Sequence, residues 1–255
     1  MKLKDRVAVV TGGGTGIGRG ISAAFGREGA QVVVNYNKSR DAAEETVAEI
    51  CSAGGSAVAL ASDVSSDAEA RAMMDDVVRR FGRLDVLVNN AGWSTRIPHE
   101  RLEDLTDEIW NKTLDTNLRG AFYCMRAAAT WLRKQPGSAI INVASVAGLT
   151  GSGSSIAYAA SKGGLLTMTK SFARVLAPDV RVNAIAPGFV RTRFANWPSA
   201  AFDDGEAITP MGKLPTPGEI GAMAVYLAAD ATATTGETVV VDGGLSELGP
   251  HRPRS

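Results

Sequence analysis

With 255 residues, 45% of them hydrophobic, the chain suits one large domain with its own core and lies far from the disordered regime. Lys plus Arg and Asp plus Glu are both 27, so the formal net charge is zero and no basic excess speaks for a nucleic-acid partner. No apolar run approaches the ~20 residues of a membrane span, Met1–Arg6 has no signal-peptide pattern, and Cys51 and Cys124 lack metal-ligand spacing. These two cysteines read as buried thiols of a reducing, cytoplasmic compartment.

In chain order, short β-branched runs alternate with longer amphipathic ones. Val7–Thr11 is the first strand candidate, and it runs into Thr11-Gly12-Gly13-Gly14-Thr15-Gly16-Ile17-Gly18, which opens a helix over Gly16–Gly29. Glycines there let the backbone turn tightly and approach a pyrophosphate seated on the helix N-terminus. Context gives the segment its weight against a merely structural turn: it follows a strand, opens a helix and lies at the first βα turn. Gln31–Tyr36 is the second strand, apolar on both faces at Val32-Val33-Val34, as a parallel sheet covered on both sides requires. Asn37-Lys38-Ser39-Arg40 and a helix over Asp41–Ala53 follow. Ala57–Ala61 leads to Asp63-Val64 and a helix over Asp67–Phe81, and Val86–Asn89 leads into Asn89-Asn90-Ala91-Gly92.

One long helix is predicted over Thr106–Lys134. Asn117 stands in its middle, where a polar side chain is ordinarily solvated. Strand Ala139–Ala144 stops just before Ser145. The next helix, Ile156–Ala177, carries Tyr158 and Lys162 and a stripe of Leu165, Leu166, Thr169, Phe172, Ala173 and Leu176 at helical spacing. Arg181–Ala186 is the sixth strand and precedes Pro187-Gly188. Phe189–Lys213 breaks the rhythm and reads as a lid, with Pro198, Asp203, Asp204 and Gly205 against a rigid helix throughout. Pro217–Ala229 and Thr238–Asp242 are the last helix and strand, and Gly249–Ser255 reads as a fraying tail.

The alternation predicts a single Rossmann-type α/β domain over residues 1–248: a doubly wound parallel sheet of seven strands, helices on both faces, right-handed crossovers. Such sheets bind ligands beyond the carboxyl ends of their strands. Thr11–Gly18, Asp63, Asn89–Gly92, Ser145 and Pro187-Gly188 all fall at that edge, which unrelated turns would have no reason to favour. Tyr158 and Lys162, four apart, share a helix face. A phenol of pKa ~10 needs about 4 kcal/mol to ionise near neutrality, and an ammonium ~4 Å away supplies about that at an effective dielectric near 20. An exposed helix pair is the competing reading. Ser145 could hold a substrate oxygen beside the phenol.

With these residues in place, the chain closely resembles the short-chain dehydrogenase/reductase family in its compact form, from Asp5 to about Leu245. The resemblance implies a nicotinamide cofactor on Gly12, Gly16 and Gly18, with Thr11, Gly14, Thr15 and Ile17 in the same turn. It places Asp63 and Val64 by the adenine, Tyr36, Asn37, Lys38 and Ser39 by its ribose, and Asn90, Ala91 and Gly92 along the site. Pro187, Gly188, Val190 and Thr192 would hold the nicotinamide. The tetrad implied is Asn117, Ser145, Tyr158 and Lys162, the last two also touching cofactor, with Asn117 kinking its helix and holding a proton-relay water by Lys162. The activity implied is NAD(P)-dependent hydride transfer with a small-molecule carbonyl or secondary alcohol. The chain is most similar to 3-oxoacyl-carrier-protein reductases and to the sugar and polyol dehydrogenases near them.

An epimerase or dehydratase of the extended family would be longer, with different glycine spacing. A non-catalytic dinucleotide sensor would have no reason to keep the whole tetrad. NADP(H) is expected over NAD(H), because NAD-preferring relatives carry an aspartate at the end of the second strand, where Tyr36 stands here. Thr15 and Asp41 cut against strictness. No metal is expected, since His99 has only His251 as a second histidine. Trp93, Phe194, Trp197 and Phe202 fall in or near the pocket and lid. Arg96, His99, Arg191 and Arg193 would meet an acidic substrate or pair with Glu100, Asp203 and Asp204. A homotetramer is expected, with Ala121, Phe122, Met125, Ala128, Ala129, Leu166, Met168 and Phe172 as surplus apolar surface for a four-helix contact and the last strand for a second.

Overall fold

Successive side chains of a strand point to opposite faces, so strands apolar at every position demand cover on both sides. The computed structural model, which describes residues 1–250, provides it. Strands β1 (Val7–Val10), β2 (Gln31–Tyr36), β3 (Ser56–Ala61), β4 (Val86–Asn89), β5 (Ser138–Val143), β6 (Val180–Pro187) and β7 (Thr238–Val241) form one parallel sheet in the order β3-β2-β1-β4-β5-β6-β7. The helices are α1 (Gly16–Arg27), α2 (Arg40–Ser52), α3 (Asp67–Phe81), α4 (Asp107–Leu114), α5 (Gly120–Leu132), α6 (Ala147–Thr150), α7 (Ile156–Leu176), α8 (Ser199–Ile208), α9 (Pro217–Ala229) and α10 (Leu245–Leu248).

Ala8 and Val10 of β1 join one core with Val32, Val34 and Val88, under Phe25 of α1, Ile50 of α2 and Ile220 of α9. Val7 and Val9 join the other with Val33 and Leu87, under Met74 of α3, Met125 of α5 and Leu176 of α7. Each fully buried side chain of this size contributes roughly 1.5–3 kcal/mol, which offsets the ordering of both helical layers. On the first face α1 and α9 approach closely. A Cβ on Gly20 would lie 2.3 Å from the Pro217 carbonyl oxygen, and one on Gly221 2.5 Å from that of Gly20. The strand order reverses between β1 and β4, which opens the crevice at the carboxyl edge where such sheets bind ligands.

Several expectations need correction. The single helix over Thr106–Lys134 is three pieces, with a π turn at Asp115–Arg119 between α4 and α5. Asn117 stands in that turn and is buried, against the competing reading of a solvated polar residue. The segment Phe189–Lys213, expected not to be a rigid helix throughout, includes one helix of 10 residues, α8, whose own Phe202 and Gly205 are buried. Cys51 is exposed, because it lies on the outer face of α2; only Cys124 is buried. Ala121, Met125, Ala128 and Leu166 are consumed by the chain's own core, so the surplus apolar surface is narrower than expected. The part of the tail beyond residue 250, His251 included, lies outside the described residues.

Candidate active site

The glycine turn after β1 is built as a cradle. Gly12 has φ +60°, and a Cβ there would lie 3.1 Å from Ala91 Cα. On Gly18 a Cβ would sit 2.2 Å from the Gly12 carbonyl oxygen, so the turn closes only without side chains. Thr15, at the N-cap of α1, makes no side-chain cap, and the first turn of the helix carries no acid. Its amides therefore face the crevice uncompensated, as an anion site requires. Asn90 Nδ2 donates to the carbonyls of Thr11 (2.9 Å) and Gly12 (3.1 Å), while Thr11 Oγ1 accepts from the amides of Asn90 (2.9 Å) and Ala91 (3.0 Å). Gly14 serves packing, since a Cβ on it would lie 2.7 Å from Ala43 Cα of α2. Asn35, absent from the sequence-based candidates, accepts from the Gly12 amide and donates to Ser62 O, tying the turn to β2 and β3. Its signal was a lone amide at the end of an apolar strand.

At the end of β2, Tyr36 is half-buried and Asn37, Lys38, Ser39 and Arg40 are exposed, with no carboxylate until the exposed Asp41. Desolvation pushes the Asp63 carboxyl up, but hydrogen bonds from Ser65 and Asn37, with Lys38 nearby, hold it below the usual range. On the other side of the crevice, Gly188 donates its amide to Val241 O (3.0 Å) and Pro187 O accepts from Val146 N (3.0 Å), which laces β5, β6 and β7 together. Val190 is buried. Thr192 stands against the glycine turn, with Cγ2 3.3 Å from where a Gly16 Cβ would be.

Beyond β5, Ser145 Oγ accepts from Ala147 N (3.1 Å) at the start of α6. The Ser155 hydroxyl caps α7 by accepting from Tyr158 N (3.2 Å), which fixes Tyr158 in the first helical turn. Lys162, one turn on and 4% exposed, donates from Nζ to Val143 O at 2.7 Å and lies 5.7 Å from the Tyr158 ring centroid. Burial pushes the Tyr158 phenol up to about 12 against a hydrogen bond with Ser145, and pushes Lys162 down to about 8. One of the three ammonium protons is held by the Val143 carbonyl, which leaves two donors free, and desolvation is the largest influence on both groups. The Asn117 side chain is engaged as well: Oδ1 accepts from Trp93 N (2.7 Å), and Nδ2 donates to Trp93 O (2.9 Å) and Ser161 Oγ (3.1 Å).

A cleft of about 330 Å³ opens nearby, between the loop after β4 (Arg96, Ile97, His99), Ser152–Ser154 and Trp197. A Cβ on Gly153, which lines the cleft, would lie 3.4 Å from Tyr158 Cδ1, so one wall stands beside that ring, while Ser145, Tyr158 and Lys162 are not among the lining residues. Phe194 packs on Tyr158 with ring centroids 5.6 Å apart. Phe202 instead packs against Phe189 within the Phe189–Lys213 segment, and Arg96 lies over the Trp197 ring. Trp93 is covered by Lys112, whose ammonium is 4.2 Å from the ring centroid. Arg191 pairs with Asp203 (2.8 Å) and Glu206 (3.4 Å). A larger hollow of about 500 Å³, lined by Leu60, Met73, Asp76 and Arg79, contains none of these groups. Among the described residues no group of three His, Cys, Asp or Glu side chains is placed to hold a metal, and no helix is long and apolar enough to cross a membrane.

The family model described as enoyl-(acyl carrier protein) reductase matches residues 12–246. The chain is 38% identical over 245 residues to a ketoacyl reductase of the granaticin polyketide synthase of Streptomyces violaceoruber, covering 95% of this chain and 96% of that one. It is 38% identical over 248 residues to the 3-oxoacyl-[acyl-carrier-protein] reductase of Synechocystis, covering 95% and 98%. A solved short-chain dehydrogenase/reductase from Burkholderia xenovorans superposes with a TM-score of 0.90 at 36% identity, over 94% of this chain and 98% of that one. With the sheet order, the glycine cradle and these likenesses in agreement, the chain belongs to the short-chain dehydrogenase/reductase family and is an oxidoreductase acting on carbonyl or CH–OH groups.

Proposed function

We propose that the chain is a cytoplasmic NADPH-dependent reductase of a 3-oxoacyl thioester, working through Ser145, Tyr158, Lys162 and Asn117. One observation carries the reading: Ser145 stands close enough to the Tyr158 phenol to work against its upward shift, and buried Lys162 lies one helical turn on, at the same sheet edge as an uncapped glycine cradle. The named relatives, both ketoacyl reductases, support the substrate class. Gly12, Gly16, Gly18 and the α1 amides would hold the cofactor's pyrophosphate, Lys38, Ser39 and Arg40 a 2′-phosphate, and Val190 and Thr192 the nicotinamide end. Bound there, the cofactor supplies the hydride.

The protein's part is proton and charge management. The Ser145 and Tyr158 hydroxyls donate to the substrate oxygen, and as charge grows there Tyr158 gives up its proton. A phenol raised by burial keeps that proton until the oxygen becomes the stronger base. The Lys162 ammonium stabilises the phenolate left behind, and a water between the π turn at Asn117 and Lys162 returns the proton. The working assembly is a homotetramer. The test is a comparison of kcat/KM for acetoacetyl thioester, cyclic ketones, sugars and polyols with NADPH and NADH. Preferred turnover of the thioester with NADPH is expected. Faster polyol oxidation would make the chain a polyol dehydrogenase of the same family, and an NADH preference would overturn the cofactor reading.

A further inference from the structure

Ser161 lies between Tyr158 and Lys162 in sequence and is fully buried, yet no step assigned above uses it. Its hydroxyl has a single proton, and it donates this to the Tyr158 carbonyl oxygen at 2.7 Å. Toward any other neighbour it can therefore only accept. The neighbour is Asn117, whose Nδ2 donates to it at 3.1 Å. An amide is nearly symmetric in shape, so its orientation is decided by such partners. With Nδ2 turned to Ser161, the second Nδ2 proton reaches Trp93 O and Oδ1 receives the Trp93 amide. Rotated by half a turn, the same amide would set oxygen against a hydroxyl with no proton left and against the Trp93 carbonyl. It would also leave buried donors unpaired, a costly arrangement in a site this dry.

We propose that Ser161 is a positioning residue for the reaction: its hydroxyl orients the Asn117 amide, and through that amide fixes the Trp93 backbone at the head of the loop walling the substrate cleft. The inference rests on the reading that Asn117 takes part in the proton path. The π turn belongs to the same device, since it brings Asn117 between α7 and the loop. Farther along, that loop is pinned to the segment before α7 by Ile97 N donating to Ser154 O (2.7 Å) and by the paired hydroxyls of Ser94 and Ser154 (2.5 Å). Ser161 thus joins the helix bearing Tyr158 and Lys162 to the opposite wall of the cleft. The alternative is a serine that only back-bonds to its own helix, as serines in helices often do.

A double-mutant cycle separates the two, using Ser161→Ala and Asn117→Ala in the full-length enzyme with the ketone of the panel above that turns over best. Ser161→Ala should lower kcat about tenfold while NADPH affinity stays within about twofold. In the Asn117→Ala background the same change should alter kcat less than about twofold, because no amide remains to be oriented. Equal losses in both backgrounds, or a lowered melting temperature with kcat intact, would overturn the assignment. If Asn117→Ala keeps wild-type kcat, the reading of Asn117 fails and takes Ser161 with it. If Asn117→Ala is slow and Ser161→Ala is not, only the role of Ser161 fails. Should the alanine variant not fold, Ser161→Cys, similar in size with a poor sulfur acceptor, is judged by the same criteria.

Discussion

Burial moves the two central proton-carrying groups in opposite directions, the Tyr158 phenol up to about 12 and the Lys162 ammonium down to about 8. Ketone reduction as proposed needs the phenol protonated and the lysine charged. The first condition holds at any ordinary pH, and the second is lost as pH rises through about 8. The kcat/KM of reduction should therefore be level below that pH and fall above it, roughly tenfold per unit. A profile flat to pH 10 would remove Lys162 from the mechanism. Tyr158→Phe deletes only the hydroxyl and leaves the ring on Phe194. Turnover should almost vanish while cofactor binding by fluorescence stays within a few-fold, and retention of more than about a tenth of wild-type turnover would sink the acid/base role. Tyr158, Lys162, Ser145 and the glycines were legible because motif spacing and strand ends place them. Ser161 and Asn35 were not. In sequence a buried amide or hydroxyl looks like a solvated one, and the partner of Ser161 lies 44 residues away.

At the level of elements, periodicity found the helices but not their interruptions. A π turn inserts one residue and shifts the phase of all that follows, and between Leu114 and Gly120 Leu118 is the single apolar residue, too few to register the change. The lid hid its helix because Asp203, Asp204 and Gly205 suggest a loop, while Phe202 and the Arg191 ion pairs that secure α8 are tertiary facts. No Lys or Arg occurs from Phe194 to Gly212. Trypsin should thus open the lid first after exposed Arg193 and later after Lys213, which is held by Glu219 at 2.6 Å. Cofactor should slow both cuts, and equal rates with and without it would argue against a lid that closes. The contact of α1 with α9 was equally invisible, since nothing marks Gly20 as touching residue 217. Gly20→Ala would drive a methyl into the Pro217 backbone, which has no side chain to rotate away. Overpacking of this kind costs roughly 1–3 kcal/mol, so the melting temperature should fall by about 3–10 °C. An unchanged melting curve would mean the two helices separate at little cost.

For the whole molecule, strict alternation of strand and helix was enough to foresee one parallel sheet with its candidate site at the carboxyl edge, because right-handed crossovers leave few other solutions. Assembly is harder to read, since an apolar helix face can finish its own core or a neighbour's. The structure divides the candidates: Met125 and Ala128 turn inward, while Phe122 and Phe172, 6.0 Å apart edge to face, stay partly exposed. Val175 follows them on α7 at 67% exposure, and Val240 on β7, the sheet's outer strand, is 40% exposed. These are two separate apolar surfaces, one on the α5–α7 face and one at the β7 edge. Two self-complementary surfaces on different axes close into a dihedral tetramer, whereas one alone would stop at a dimer. Light scattering at micromolar concentration should therefore give the mass of four chains. Phe172→Glu, a charge placed on the α5–α7 surface, should halve it by leaving only the β7 edge to pair. A stable mass of one chain for the unaltered protein would show that both surfaces are solvated, and a tetramer indifferent to Phe172→Glu would move the helical contact elsewhere.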